Sequence, residues 1–206
     1  MRNIKVNVKA ARRAQTEKRI NQQDTEAIEF GMALGCIYCR EKREFGKGRM
    51  NRLIRGTYEE LVDRFMMYRE SEEETFSPDN LPTLYAGLRV QMKGLDVNVE
   101  AIEEEFGFPE VISSWDQKRL VIRRERRQTL LNREVLVRCY WYGMMLHLWH
   151  EYNWGTQRLT NFYRYCREQY RAVYLPYLGF TPEQDTKIDH TVKATIARIK
   201  EMGVSF

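Results

Sequence analysis

A six-residue pattern that occurs twice constrains the fold of this chain most. Residues 45–50 read aromatic, Gly, two variable residues, Arg and a long aliphatic residue, and residues 154–159 repeat that order 109 positions later. The same offset pairs apolar positions on both sides, for example Ile37 with Leu146. Recurrence at a fixed offset indicates an internal repeat. The alternative is that two helix pairs with glycine-containing turns resemble each other by chance.

Each copy has the apolar spacing of three helices. Apolar residues recur every three or four positions, strand-type alternation is scarce, and glycines, prolines and polar stretches separate the periodic segments. Asp24 or Thr25 is the expected cap of the first helix. The predicted helices lie near residues 24–45, 49–69, 81–93, 99–106, 116–153, 157–174 and 182–201.

These segments predict an all-α fold in which two diverged three-helix repeats pack as a pseudo-twofold helical bundle. A single copy of this size buries only a marginal core, so the two copies are expected to cover each other's apolar faces. The predicted division is a first repeat with a basic N-terminal arm over 1–98, a linker with a short acidic helix over 99–115, and a second repeat over 116–206.

Charge and cysteine usage indicate the compartment and the class of partner. The net charge of +5 and the isoelectric point near 9.0 favour anionic partners. No apolar run has the length of a membrane span, and the N-terminus lacks the apolar stretch of a secretory signal. A cytoplasmic protein without membrane contact is therefore expected. Its four cysteines, which lie in helical segments, are expected to be reduced and buried.

A basic segment precedes each copy. Clustered Lys and Arg neutralise phosphates and give sequence-independent affinity for nucleic acid, or they bind an acidic protein surface. The alternative is a solvated helix face whose charge Glu17 and Glu125 partly compensate. The candidate residues are Lys9, Arg12, Arg13, Lys18 and Arg19 before the first copy, and Lys118, Arg119, Arg123, Arg124, Arg126 and Arg127 before the second.

The helix that follows each glycine turn is a second candidate for nucleic-acid contact. In a helix-turn-helix reader its first polar residues face base edges in the major groove. Against that reading, both preceding helices are longer than a compact reader uses. An Arg directly after the turn has an alternative role, which is to bond the last carbonyls of the preceding helix. The residues concerned are Arg49, Asn51, Arg52 and Arg55 in copy one, and Arg158, Thr160, Asn161 and Arg164 in copy two.

Metal and catalytic motifs are weak. Cys36 and Cys39 have CxxC spacing, His147 and His150 have HxxH spacing, and four such side chains suit a tetrahedral zinc ion. Both pairs lie mid-helix, however, and they are two positions out of register between the copies. Buried cysteines and interface histidines are the favoured interpretation, so no metal or cofactor is expected. No phosphate-binding glycine motif occurs.

The acidic runs are also not expected to bind a metal ion. The runs Glu72, Glu73, Glu74 and Glu103, Glu104, Glu105 are interpreted as solvated charge. With no nucleophile, base or metal arrangement in evidence, the sequence predicts a protein that is not an enzyme.

The aromatic-Gly-x-x-Arg-aliphatic unit at residues 45–50 and 154–159 resembles small helical proteins of phages and prophages of Gram-positive bacteria. The resemblance implies a phage accessory protein, and such proteins regulate transcription or block host defences, including CRISPR nucleases. We therefore expect a non-catalytic protein of the host bacterial cytoplasm that binds nucleic acid or a nucleoprotein. The alternatives are a protein–protein inhibitor of the anti-CRISPR type and an adaptor that joins host partners. The oligomeric state stays open.

Overall fold

The computed structural model describes residues 2–68, 81–106, 117–174 and 182–206. Within these residues the predicted periodic segments form seven helices. These described residues contain no strand, and the all-α class is confirmed. The helices are α1 (Arg2–Arg43), α2 (Lys47–Tyr68), α3 (Leu81–Gly94), α4 (Val99–Glu105), α5 (Gln117–Tyr152), α6 (Thr156–Tyr174) and α7 (Pro182–Glu201).

The start of α1 is the one helix bound that the sequence prediction misplaced by more than two residues. α1 begins at Arg2 rather than near Asp24. Asp24 does not cap a helix: its carboxylate accepts a hydrogen bond from Arg133 Nε at 2.6 Å. No Gly or Pro occurs between Arg2 and Asp24 to interrupt the helix. The predicted polar loop at 71–79 and the predicted breaks at 107–109 and 176–179 lie outside the described residues.

The turns that end α1 and α5 have the same backbone geometry. Glu44 and Asn153 are left-handed, with φ of 55° and 50°. The following amides, those of Phe45 and Trp154, donate to the carbonyl oxygens six residues back at 3.1 and 3.2 Å. These bonds satisfy carbonyl oxygens that the end of a helix leaves free. The predicted glycine turns therefore end both helices in one way, 109 residues apart.

The ends of α3 and α7 also match. Asp96 and Gly203 are left-handed, with φ of 57° and 76°. Val97 N donates to Met92 O at 3.0 Å, and Val204 N donates to Ile199 O at 3.4 Å. Val97 and Val204 are 107 residues apart, two fewer than the 109 that separate Phe45 and Trp154, so the second copy is two residues shorter between these turns. Matching turns at both offsets are what tandem duplication predicts, and the duplication itself stays a prediction.

α1 and α5 run parallel and in close contact. Asp24 contacts Arg133, Gly31 O accepts from Trp141 Nε1 at 2.9 Å, and Gly35 faces Met144. Since the partner number rises along both helices, the two helices point the same way. The glycines allow the close approach, because a Cβ at Gly31 would lie 2.5 Å from Val137 Cγ1.

The second and third helix of each half pack on the first helix of the other half. Tyr38 of α1 contacts Phe162 and Tyr165 of α6, while Gly56 of α2 faces His147 of α5. α3 likewise packs on α5 and α7 on α1. Buried residues from both halves form one hydrophobic cluster. This exchange agrees with the predicted pseudo-twofold arrangement, which also stays a prediction.

Hydrogen bonds across the halves tie the start of a second helix to the end of a third. Asn51 of α2 donates to Gly203 O at 3.1 Å and accepts from Ser205 N at 2.9 Å. Thr156 of α6 donates to Leu95 O at 3.0 Å. A side chain from the opposite half therefore holds the C-terminal end of each third helix, that of α7 and that of α3.

Candidate nucleic-acid interface

The predicted basic arms belong to the N-terminal parts of α1 and α5. Because these helices run parallel, their N-terminal parts leave the helix pair at the same end. Both helices are continuous through the arms, from Arg2 and from Gln117. The side chains of the arm cations lie outside the described residues: Lys9, Arg12, Arg13, Lys18, Arg19, Lys118, Arg119, Arg123, Arg124, Arg126 and Arg127.

An ion pair joins the helices where the arms begin. Asp24 and Arg133 occupy equivalent positions in the two halves, 109 residues apart, and their side chains are 30% and 14% exposed. A partly buried pair of this kind fixes the spacing of the two helices better than a fully exposed one, which is screened by salt. The ion pair therefore sets the distance between α1 and α5 at the point where the two basic arms begin.

The predicted cations of the turns lie at the opposite end of the helix pair, because α2 and α6 begin where α1 and α5 end. The Arg49 guanidinium lies 5.7 Å from the centre of the Phe45 ring. Arg55 pairs with Glu59 at 3.6 Å, while Arg164 pairs with Glu105 at 3.0 Å. Arg52 and Arg158 are exposed. The structure thus separates the predicted cations into two groups and does not bring them onto one surface.

Two predicted roles for the turn residues are not what the geometry shows. Asn51, a candidate base reader, uses its side chain to hold Gly203 and Ser205. Arg49, a candidate cap for α1, stacks on Phe45 instead, and Arg40 donates to Phe45 O at 3.3 Å. These contacts make the start of α2 a structural junction.

The structure also reveals a polar cluster that the sequence did not indicate. The Glu103 carboxylate accepts from the hydroxyl groups of Tyr163, Tyr142 and Tyr85, at 2.5, 2.7 and 3.1 Å. Arg138 Nη1 donates to the same carboxylate at 2.9 Å. The interpretation of this acidic run as solvated charge is therefore wrong for Glu103, because α4 docks its carboxylate between α3, α5 and α6.

A second carboxylate lies deeper in the same cluster. Glu134 and Arg167 are each 1% exposed, and Arg167 Nη1 lies 2.6 Å from Glu134 Oε1. Arg138 also donates to Glu134. Glu134 Oε2 and the Nε atoms of both arginines make no hydrogen bond to the protein. Charges this deeply buried are tolerated only when they are paired.

Burial sets the protonation of the phenols in this cluster. It raises the pKa of Tyr142 and of Tyr163 far above the ordinary value of tyrosine, and the nearby Glu103 carboxylate adds to the increase. The phenols therefore stay neutral and act as donors. Two arginines of α6 add to these contacts: Arg164 donates to Glu105, and Arg167 donates to Phe106 O at 3.3 Å. The phenols and these arginines together hold α4 against the bundle.

The sequence did contain a signal for the buried part of this cluster. Glu134, Arg138 and Arg167 fall at helical spacing among residues that are otherwise apolar. A charged side chain on such a stripe indicates a buried partner of opposite charge. What sequence could not indicate is which carboxylate and which guanidinium meet.

The cysteine and histidine pairs do not come together as a metal site. Cys36 and Cys39 are buried with Cys166, and burial raises the pKa of Cys36 to about 12. His147 packs against Gly56, while His150 Nδ1 lies 2.6 Å from Glu60 Oε1. Across the described ranges, no three His, Cys, Asp or Glu side chains are arranged to hold a metal ion.

Two further results complete the description of the chain. Among the helices of the described residues, none combines the length and the apolar character that crossing a membrane requires. Comparison with protein-family models, with curated proteins and with solved structures finds no match.

Proposed function

We propose that the chain is a non-catalytic nucleic-acid-binding protein of phage or prophage origin that acts in the host bacterial cytoplasm. The two basic arms bind phosphates together. The observation that carries this proposal is the parallel pairing of α1 and α5, fixed by the Asp24–Arg133 ion pair and the Gly31–Trp141 hydrogen bond. An antiparallel pair would direct the two basic segments to opposite ends of the bundle.

The charge of the arms is one-sided. Residues 9–19 contain five basic residues and one acidic residue, and residues 118–127 contain six basic residues and one acidic residue. The two segments carry +4 and +5, so the remainder of a chain with a net charge of +5 carries −4. Two concentrated positive segments at one end attract a polyanion, and each phosphate that a Lys or Arg neutralises releases a counterion.

The direct test is binding to a labelled nucleic acid across a series of salt concentrations. Substitution of Arg123→Ala together with Arg124→Ala removes two arm cations. Each phosphate contact contributes about 0.9 to the slope of log affinity against log salt, so we expect the slope to fall by about 2. At low salt the affinity is expected to fall by about tenfold or more.

A charge-matched control distinguishes arm binding from general attraction. Lys42→Ala together with Lys47→Ala removes the same charge from the other end of the helix pair, where Lys42 near the end of α1 and Lys47 at the start of α2 are both exposed. This variant is expected to keep the slope of the unsubstituted protein. Equal losses in both variants, or no binding by the unsubstituted protein at low salt, would contradict the proposal.

A second candidate function is inhibition of a host protein, and one observation favours it. Tyr58, Val62 and Met66 lie four residues apart on α2 and are 38%, 59% and 49% exposed. An apolar stripe on a protein surface commonly marks a protein-binding site. If this function is correct, Val62→Asp together with Met66→Asp abolishes capture of a host nuclease, and the arm variant leaves that capture unchanged.

A further inference from the structure

We infer that the nucleic acid is double-stranded DNA, whose major groove receives the N-terminal parts of α1 and α5 as a fork. This inference rests on the proposed function and goes beyond it, because basic arms alone do not distinguish a duplex from a single strand or DNA from RNA.

The first step is the geometry of the stem. α1 and α5 form a parallel pair through described contacts that run from Asp24–Arg133 to Gly35–Met144. In basic leucine-zipper proteins, two helices that continue from a parallel stem fork across the major groove of DNA. Here one chain supplies both helices, so the fork does not depend on dimerisation.

The second step is the length of the two helices beyond the stem. α1 extends from Asp24 back to Arg2 and α5 from Arg133 back to Gln117. At 1.5 Å per residue these extensions are about 33 Å and about 24 Å long. The major groove is about 12 Å wide, so a helix that lies along it is close to the phosphates on both sides. Extensions of this length can make such contacts over several turns of helix.

The third step concerns the shape of the groove. An α-helix with its side chains is about 10–12 Å across, which the major groove of B-form DNA admits. The major groove of an RNA duplex is deep and narrow, and side chains cannot read it. A protein that presents continuous basic helices is therefore suited to DNA rather than to double-stranded RNA.

The fourth step excludes stacking as the mode of recognition. Proteins that bind single strands combine basic grooves with aromatic side chains on which the bases stack. Helical residues 2–23 and 117–132 contain no Phe, Tyr, Trp or His. The arms therefore offer charge and hydrogen-bond donors but no stacking platform, which favours a duplex.

The two arms are not equivalent, and this predicts an asymmetric site. Ala10 and Ala14 of the first arm stand where the second arm has Arg119 and Arg123. Conversely, Arg12 and Arg13 stand where the second arm has Val121 and Ile122, so the cations occupy different positions along the two helices. A palindromic site, which suits a true dimer of identical helices, is not expected here.

The experiment measures anisotropy of three labelled probes with the full chain at one salt concentration. The probes are a DNA duplex of twenty base pairs, one of its strands, and an RNA duplex of the same sequence. We expect the DNA duplex to bind at least tenfold more tightly than the other two. Equal affinity for all three overturns this inference but leaves the proposed function standing, whereas no binding to any probe overturns both.

Arm variants and a groove-specific probe complete the test. Arg12→Ala with Arg13→Ala and Arg123→Ala with Arg124→Ala are each expected to weaken duplex binding, because each variant removes two cations from one arm of the fork, and both variants should keep the melting temperature of the unsubstituted protein. Guanine N7 lies in the major groove, so dimethyl sulfate should methylate it more slowly in the complex. Unchanged methylation, or undiminished duplex binding by either arm variant, contradicts the fork.

Discussion

At the scale of single residues, the informative feature is a buried network of charges. Glu134 and Arg167 lie almost fully buried at 1% exposure each, and Arg138 joins Glu134 to the Glu103 carboxylate. The removal of one partner from such a network leaves the other as an uncompensated buried charge, which is more damaging than replacement of both by apolar side chains. The stability of the bundle therefore depends on this network.

Glu134→Gln tests the network directly. We expect it to lower the free energy of unfolding by about 3–5 kcal/mol, because two guanidinium groups lose their carboxylate. The measurement is urea unfolding followed by circular dichroism. Glu104→Gln, at an exposed position of α4, is the matched control and should change little. If the two variants lose the same stability, the network is not what holds α4, α5 and α6 together.

The phenols predict a loss of stability at high pH. The folded pKa values of Tyr142 and Tyr163 lie above the unfolded value of about 10 because burial penalises the phenolate. Below pH 10 both states hold the proton and stability is unaffected; above it the unfolded state loses the proton first, so stability falls. Urea midpoints at pH 8, 9, 10 and 11 measure this, and Tyr142→Phe should reduce the slope. If the urea midpoint of Tyr142→Phe falls with pH as steeply as that of the unsubstituted protein, the buried phenol of Tyr142 is not a cause of the loss.

At the scale of elements, the helix ends explain how much the sequence could predict. Glycine turns, proline and apolar periodicity are local signals, so the bounds of α2 to α7 followed from them within two residues. The start of α1 did not, because Asp24 has the chemistry of a helix cap and only its distant partner Arg133 shows that it is an ion-pair residue. The Glu103 cluster was missed for the same reason.

The contact between α1 and α5 predicts an unequal response to alanine. A Cβ at Gly31 would lie 2.5 Å from Val137 Cγ1, and one at Gly35 would lie 2.6 Å from Met144 Cε. Valine is stiff, whereas methionine can change rotamer. Gly31→Ala should therefore lower the free energy of unfolding by about 1–3 kcal/mol, and Gly35→Ala should be nearly neutral, since alanine favours helix by up to about 1 kcal/mol.

Thermal unfolding of the two variants is the measurement. Gly48→Ala is the control, because its added Cβ meets nothing within 4 Å. Equal melting temperatures for Gly31→Ala and Gly48→Ala would contradict the close helix contact.

At the scale of the whole molecule, the two halves share one core. Trp141, Tyr163 and Phe30 are all buried in a single cluster, although they come from both halves. The predicted repeat of 1–98 and 116–206 would explain this arrangement as a dimer fused into one chain. Each half alone would expose the apolar faces that the other half covers.

Separate expression of residues 1–98 and 99–206 tests that view. Each fragment alone is expected to show reduced helicity and no cooperative melting, because its first helix lacks the helices that cover it. Mixed in equal amounts, the fragments should recover cooperative melting through the exchanged contacts of α1 with α6 and of α5 with α2. Cooperative melting of either fragment alone would mean that the halves are independent domains.

The parallel direction of α1 and α5 underlies the proposed fork, and a distance between two spin labels measures it most directly. Gln22→Cys and Gln128→Cys place one label on each helix, on the N-terminal side of the contacts at Gly35 and Met144. The native thiols stay unlabelled because burial raises their pKa, to about 12 for Cys36 and Cys139 and well above the ordinary value of a thiol for Cys39 and Cys166.

The parallel arrangement predicts a label separation below about 30 Å, since both labels lie on the same side of the helix contact. An antiparallel pair that crosses at the same point would separate them by about 43 Å along the helix axes. The double electron–electron resonance experiment distinguishes these values: the short distance is the predicted result, and the long distance would contradict the account.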